Sequence, residues 1–444
     1  MWFTLFLAFV LRLPFLNQSL WLDEAIQAMA LKGYYGPILG YALSDFQPPL
    51  YHFILMAWTR LAGTGEVALR IPSLLAGTLL TYYSYQLGSL LKNKQVGLWA
   101  ALLVATNPLL IYYSQEGRTY IFTTLFVTAS YYYLLKLLKN PKSNLLTSIS
   151  YLLSSVFALY TSYLSWVALA IPLLYLVWQR RWRLVWLSLA AYLTLLPWLP
   201  LFLRSLGIGL SDAGAMPEWG RVVGGISPKA LALTWVKAVI GRISFSPPWL
   251  YASIVSVVFV LHLIVLRQLK LRSLTIDHRP LLLLWLLALP LLALLSLAIP
   301  FYSYTRVLFV VPAYLLLLAL SLVNRPRLGT VIVSLQLVFL LVFWFSPRFH
   351  REDWRGLTSY LNKHALTVAQ PTNKLDAPLS YYGLSSKRLV LPEAELGVDR
   401  LYYLPYGEDI FDPARAGRAN LANSGYTLLE EISFNALPVE IYGK

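Results

Sequence analysis

Apolar runs long enough to cross a bilayer recur along the chain from Trp2 to Trp344, and this pattern constrains the fold more than any other feature. A hydrocarbon core takes about 20 apolar residues per helix. On that measure the runs fall near Trp2–Leu16, Ile71–Leu91, Val96–Tyr113, Ile121–Leu138, Leu145–Tyr163, Trp166–Trp178, Leu184–Leu203, Trp249–Leu266, Leu281–Ala298, Val307–Val323 and Val331–Phe345. The reading is a mainly α, polytopic transmembrane bundle of about eleven helices. With 58% of 444 residues hydrophobic and 13% charged, a soluble core could not enclose the apolar surface, whereas lipid can. The lack of cysteine excludes disulfides, thiolate metal sites and a cysteine nucleophile.

The net charge of +16 is spread in short basic clusters between the apolar runs, where membrane orientation and anionic headgroups account for it; nucleic acid is set aside. Connectors holding Lys92 and Lys94, Lys136 to Lys142, Arg180 to Arg183, Arg267 to Arg279, and Arg325 with Arg327 are dense in basic residues. By the positive-inside rule they are cytoplasmic. The first loop (17–70), the Glu116-Gly-Arg118 turn, the Arg204–Arg242 stretch, the Tyr302–Arg306 turn and the tail then face outward, which predicts a multi-pass plasma-membrane protein with an extracytoplasmic site. The N-terminus has no basic n-region and no small-residue cleavage site, so it reads as a retained first helix.

Acids are distributed unevenly. Before residue 347 they are Asp23, Glu24, Asp45, Glu66, Glu116, Asp212, Glu218 and Asp277, and all but Asp277 fall in the outward loops. After residue 347 short apolar runs (Leu366–Ala369, Arg388–Leu391, Leu401–Leu404) alternate with Pro, Gly and Asn, and Asp412-Pro-Ala-Arg-Ala reads as a helix start. The chain therefore divides into a membrane module, 1–346, and a small outward α/β domain, 347–444.

In the first loop, Leu22 to Leu31 reads as a short amphipathic helix stopping at Gly33, and Gln47-Pro-Pro opens another. Both are expected along the membrane surface, anchored by Trp21, Tyr34, Tyr35, Tyr41 and Trp58. Ionisable groups at a membrane boundary are costly, so the Asp23-Glu24 pair is a site hypothesis by default. Successive helical positions point about 100° apart, so the two carboxylates cannot aim at one atom: one is chemical, the other structural. The competing reading of Asp23 is a helix N-cap.

Four segments stand in register with this topology: Leu20-Trp-Leu-Asp-Glu-Ala25, Gln47-Pro-Pro-Leu-Tyr51, Leu69-Arg-Ile-Pro-Ser73 and Tyr113-Ser-Gln-Glu-Gly-Arg-Thr-Tyr120. Together they resemble the protein O-mannosyltransferase and aminoarabinose-transferase branch of the GT-C membrane glycosyltransferases, over roughly the first 140 residues; beyond that the likeness is carried by helix layout, Tyr304-Thr-Arg306 and the outward tail. The resemblance implies transfer of a sugar, with inversion, from a polyprenyl-phosphate donor to a hydroxyl of a lipid, glycan or protein on the outer face. It matches Asp23 to the family's catalytic aspartate and Glu24 to its usual neighbour. Many relatives carry Lys or His before Pro-Pro; Gln47 stands there in this chain, so a donor-phosphate contact is not carried over to that position and the substrate subgroup stays open.

Residue chemistry fits the same reaction. A lipid-linked sugar phosphate already carries a good leaving group, so one base and a cationic cradle suffice. Asp23 is the expected base, with Glu24 beside it, and Asp45, Gln47, His52, Arg70, Glu116, Arg118, Tyr120, Tyr304 and Arg306 are the expected substrate-binding residues. Arg12, Arg60, Arg70, Arg118, Arg221, Arg242 and Arg306 form the pool of phosphate-binding guanidiniums, with Arg306 and Arg118 first. Arg12 either snorkels or reaches the phosphate. A retaining route would use Asp45 as the second carboxylate and is less favoured. No cofactor is assigned; a divalent cation is left open, since no Asp-x-Asp occurs in the outward loops before the tail, although Asp45 and Glu116 could converge. The Gly-rich Arg204–Arg242 stretch reads equally as a lid or a connector. The alternative is a transporter or flippase of lipid-linked sugars, which would carry broken helices and polar residues at mid-membrane.

Overall fold

The computed structural model describes residues 1–140, 144–215, 224–267, 269 and 279–444. Helices occupy each of the apolar runs, but they differ in length. Four are long and apolar enough to cross a membrane, Tyr120–Lys139, Trp182–Ser211, Pro248–Leu266 and Pro326–Phe345; a fifth is the pair Lys94–Thr106 and Pro108–Ser114, bent by 61°. Among the described residues four helices, or five counting the bent pair, thus meet this test of length and composition, fewer than the eleven expected. Leu145–Leu159 and Leu164–Trp178 have 15 residues each, about 22 Å at 1.5 Å per residue against a core of about 30 Å. Glu66–Leu91 is long enough, but its Glu66, Arg70 and run of Tyr and Ser keep it polar. The exposed side chains of Pro248–Leu266, such as Val257 and Val260, form an apolar outer surface.

Local chemistry sets the breaks. Asn107 accepts the Leu110 N–H, and Pro108 follows at the first helical position, so the chain must start a new helix there and bends. Asn93 and Asn144 cap their helices in the same way. Helices Glu66–Leu91 and Lys94–Thr106 approach backbone to backbone at Gly88 and Gly97, where a Cβ on Gly88 would stand 3.0 Å from the Gly97 Cα.

Between the first helix, Trp2–Val10, and Glu66–Leu91 lie three short helices, Leu22–Leu31, Ile38–Ser44 and Leu50–Ala62. The middle one was not anticipated. Helix Leu199–Ala215 packs on it, Ser205 Oγ donating to the Leu43 carbonyl at 2.7 Å and Gly209 admitting the Phe46 ring. The glycine-rich Arg204–Arg242 stretch is therefore helical through residue 215 and again over Pro228–Ile240, where Ser227 caps the helix; 216–223, with Glu218 and Arg221, lie outside the described residues.

After Pro347–Phe349 the chain forms helix Trp354–His364 and a five-stranded sheet: β1 Thr367–Gln370, β2 Arg388–Val390, β3 Arg400–Tyr403, β4 Thr427–Phe434 and β5 Leu437–Gly443. The order is β2-β1-β3-β5-β4, parallel among β2, β1 and β3 and antiparallel among β3, β5 and β4. Alternation along β1 sends Val368 into a core with Trp354, Leu361 and Leu379 and Ala369 into a second core with Leu389, Tyr403 and Leu421. Asp412 accepts the Ala416 and Gly417 N–H groups, holding the start of helix Ala416–Asn423.

The sheet unit is fastened to the first loop. The Tyr382 hydroxyl accepts the Leu20 N–H at 2.8 Å, Arg355 donates to Glu66 at 2.6 Å and to the Asn17 carbonyl at 2.8 Å, and helix Asp376–Tyr381 packs against Leu22–Leu31.

Candidate active site

Asp23 occupies the first turn of Leu22–Leu31, but it is not the cap. The N-cap position is Trp21, without a side-chain cap bond, and the Leu22 N–H donates instead to Glu352 Oε2 at 3.1 Å. Glu352 is pinned by the Trp354 indole at 2.9 Å and the Tyr406 hydroxyl at 2.6 Å. A carboxylate at a helix N-terminus is favoured by orphan N–H groups and the dipole. Because the tail supplies it, the Asp23 side chain is released from capping.

The released carboxylate faces a buried guanidinium. Asp23 Oδ2 lies 3.7 Å from Arg118 Nη2, which also meets Asp45 Oδ1 at 3.1 Å. Arg118 comes from the sharp turn between Pro108–Ser114 and Tyr120–Lys139, and Asp45 from the residue after Ile38–Ser44. Water reaches 37% of the Asp23 side chain although protein encloses the recess around it. That enclosure raises the Asp23 carboxyl above its ordinary value; Arg118 pulls it down and the like charge of Asp45 pushes it up again. Burial raises Asp45 too, against the pull of Arg118.

Glu24, one position on, points the other way. Its Oε1 accepts Arg70 Nε at 2.9 Å and the Gly117 N–H at 2.7 Å; its Oε2 accepts Arg70 Nη2 at 2.5 Å and lies 3.7 Å from Arg351. Against the upward push of burial, Arg351 and Arg70 hold its carboxyl down at about 2. The remaining Arg70 N–H groups go to the Leu16, Gln18 and Ser19 carbonyls, so all five guanidinium donors are used. Both oxygens of Glu24 and all five N–H donors of Arg70 are thus engaged within the protein.

Glu116 is also committed. Its Oε2 accepts Arg351 Nη1 at 3.2 Å, while Arg351 Nη2 donates to the Gln115 carbonyl at 2.9 Å. Among the described residues no group of three or more His, Cys, Asp or Glu could hold a metal ion. His52 is buried; Nδ1 faces Gln27 Oε1 at 2.7 Å and Nε2 stands 3.7 Å from Asp45 Oδ2, so it braces Asp45. Gln47 Oε1 is buried without a hydrogen-bond partner.

Arg306 donates from Nη1 to the Phe301 carbonyl at 3.1 Å, and no other protein acceptor meets its guanidinium among the described residues. It stands close enough to Asp23, Asp45 and Tyr120 to feel their charge. The Tyr120 ring packs on Tyr113 at 5.2 Å, and Tyr304 lies within electrostatic reach of Tyr113. Arg242 is exposed, 4.6 Å over Tyr112, with Nη1 donating to the Tyr112 hydroxyl at 2.6 Å. Arg12 neither snorkels nor reaches the site: Ser114 Oγ and the Ala8, Val104 and Ala105 carbonyls take its donors, and Gly77 makes room for it. Tyr41 is buried beside Asp45 and Arg118 rather than anchoring at an interface.

Arg351 and Glu352 were missed as parts of this centre. The cluster His350 to Arg355 signals them, but its contacts with Glu24, Glu116 and Leu22 bridge more than 230 residues of chain.

Residues 46–206 match the family model described as dolichyl-phosphate-mannose-protein mannosyltransferase. No curated protein sequence matches the chain significantly. Among solved structures, ArnT from Cupriavidus metallidurans bound to undecaprenyl phosphate aligns over 99% of this chain and 96% of its own, with TM-score 0.56 and 11% identity. The Archaeoglobus fulgidus oligosaccharyltransferase tethered to an acceptor peptide with the NVT sequon aligns over 98% of this chain and 73% of its own, with TM-score 0.54 and 11% identity. The same archaeal enzyme complexed with Zn and sulfate aligns with TM-score 0.51 and 11% identity over 91% of this chain and 68% of its own. The chain has the GT-C fold. In that setting its long apolar helices make it an integral membrane protein.

Proposed function

We propose that this GT-C chain is an inverting glycosyltransferase that moves a sugar from a polyprenyl-phosphate donor to a hydroxyl acceptor at the outer face of the membrane. The observation that carries the reading is the split between neighbouring acids: Glu24 is locked in a buried ion pair, and Asp23 is accessible, enclosed and raised in pKa next to Arg118. A raised carboxyl is a better base in its ionised form. Asp23 takes the acceptor hydroxyl proton, the oxygen bonds to the anomeric carbon from the face opposite the phosphate, and the carbon–oxygen bond to phosphate breaks. The electron pair leaves with the phosphate.

Arg306, with unused donors, and Arg242, exposed over Tyr112, receive that charge, and Arg118 orients Asp23 while Asp45 holds Arg118. Guanidinium forks suit phosphate oxygens, and such contacts strengthen where water is scarce. Tyr120, within electrostatic reach of both Asp23 and Arg306, lies between base and cradle, and Tyr304 and Gln47 are assigned to the same substrate space. The match of ArnT bound to undecaprenyl phosphate, and of the archaeal enzyme AglB in complex with dolichol-phosphate, supports a lipid-phosphate donor. Residues 1–346 form the catalytic membrane module, and 347–444 the outward unit that completes it.

The test is transfer from a panel of labelled polyprenyl-phosphate sugars by the purified protein in lipid, wild type beside Asp23→Asn. Consumption of one donor by the wild type alone is the expected result. Donor use that survives Asp23→Asn overturns the assignment of the base.

A further inference from the structure

An aromatic ladder leads from the protein surface to this centre. Tyr34 and Tyr35 are 52% and 40% exposed on a tip bounded by Gly33 and Gly36, both at positive φ, and their rings meet edge to face at 5.0 Å. Tyr35 stacks on Tyr41 at 6.2 Å and 19°, and Tyr41 meets His52 at 5.3 Å, next to Asp45. Tyrosines at the end of a short first-loop helix would ordinarily be read as interfacial anchors. Their surroundings argue otherwise. Lys32, two residues before Tyr34, lies 4.6 Å over the Tyr381 ring of the sheet unit, and Asp376 of the same unit is near enough to bear on the Tyr35 hydroxyl. Lys374, packed 5.0 Å over Phe411, bears likewise on Asp23. The tip therefore faces the sheet unit across the mouth of the recess.

Resting on the transferase reading above, we propose that the exposed Tyr34 and Tyr35 form the acceptor subsite, and that the acceptor is a carbohydrate chain held there by its outer sugars while its terminal sugar reaches Asp23. The electron-rich face of a tyrosine ring attracts the C–H face of a pyranose, and a rigid ring with a polar tip offers large contact area at small entropy cost. Charges of both signs at the mouth, Lys32, Lys374 and Asp376, suit a neutral chain of hydroxyls, which both donates and accepts. An anionic headgroup would be met by Asp376, and an acyl chain by all three charges.

Saturation-transfer NMR with the full-length protein in lipid nanodiscs tests this, using mannotetraose, cellotetraose and maltotetraose as probes. At least one is expected to bind the wild type and Tyr35→Phe, and to bind Tyr34→Ala/Tyr35→Ala about ten-fold more weakly, as loss of stacking at roughly 1.4 kcal/mol implies. No binding of any probe by the wild type overturns the proposal, as does equal binding by the alanine variant. So does a finding that these rings instead hold the protein to lipid, seen as quenching of both tyrosines by doxyl-labelled lipids. The thermal transition of each variant checks that it is folded. Donor consumption, wild type against Asp23→Asn, is scored separately, so a failed acceptor subsite is distinguishable from a failed transferase reading.

Discussion

Exchanging the two neighbouring carboxylates one at a time gives the strongest test, because the structure assigns them opposite consequences. Glu24→Gln removes a buried charge that satisfies Arg70 Nε, Arg70 Nη2 and the Gly117 N–H. Arg70 is fully buried and cannot turn to water, and the amide nitrogen of Gln would face its donors. Breaking a buried pair by removing one partner costs about 3–5 kcal/mol. Three backbone carbonyls still hold Arg70, which places the expected loss toward the lower end, about 3 kcal/mol, still a large part of a stability of about 5–15 kcal/mol.

Asp23→Asn is nearly isosteric, keeps its exposure, and gives up only a 3.7 Å pair while Arg118 retains Asp45. Its effect on stability is expected within about 1 kcal/mol, but loss of the base should cut turnover by roughly 10²–10⁴-fold, about 3–5.5 kcal/mol in activation free energy. Thermal unfolding in detergent and donor consumption at saturating substrate measure the two quantities on each variant. The reasoning fails if Glu24→Gln melts like the wild type while losing transfer, or if Asp23→Asn is the variant that unfolds.

Three further outcomes follow from the same contacts. Asp45→Asn removes the like charge that raises Asp23 and leaves Arg118 to Asp23 alone, so both effects lower the Asp23 pKa; the acidic limb of the pH–rate profile should move to lower pH, and a limb that stays put or rises contradicts this wiring. Arg306→Ala should raise the KM for the lipid-phosphate donor about ten-fold with little change in fold, since its one protein bond goes to the Phe301 carbonyl; unchanged donor kinetics remove it from the cradle. Arg351→Ala leaves Glu116 buried without its partner and should cost about 3 kcal/mol or more, with faster proteolysis between the membrane helices and the sheet unit; wild-type protease resistance would show that this brace holds nothing.

What the sequence shows and hides follows contact distance. Helix Leu22–Leu31 was legible because Gly33 stops it and its apolar residues recur on one face. That the two acids diverge was legible from the 100° step alone; which one turned inward was not, because Arg70 and Arg351 approach Glu24 from 46 and 327 positions away. Ile38–Ser44 escaped notice because seven residues after Gly36-Pro37 carry too little period to distinguish helix from loop. Arg12 and Arg70 were indistinguishable from ligand-binding arginines, since their acceptors are mostly backbone carbonyls and carbonyls have no sequence signature.

The cap on Asp23's helix shows why the sheet unit cannot be treated as an appendage. A helix that begins at Leu22 with a tryptophan at its N-cap leaves orphan N–H groups, and the nearest acid in sequence, Asp23, would ordinarily satisfy one of them. Glu352 does so from the tail, and its own orientation depends on Trp354 and Tyr406 in the sheet unit. Glu352→Gln should therefore injure catalysis from outside the recess: with the cap weakened, Asp23 is drawn toward the helix terminus and away from Arg118. The expected signature is a fall in kcat with donor KM nearly unchanged, and recovery when Trp21→Ser supplies a local cap. If the double variant is no more active than Glu352→Gln alone, the tail does not set the position of Asp23 through the helix end, and its link to the site runs only through Arg351.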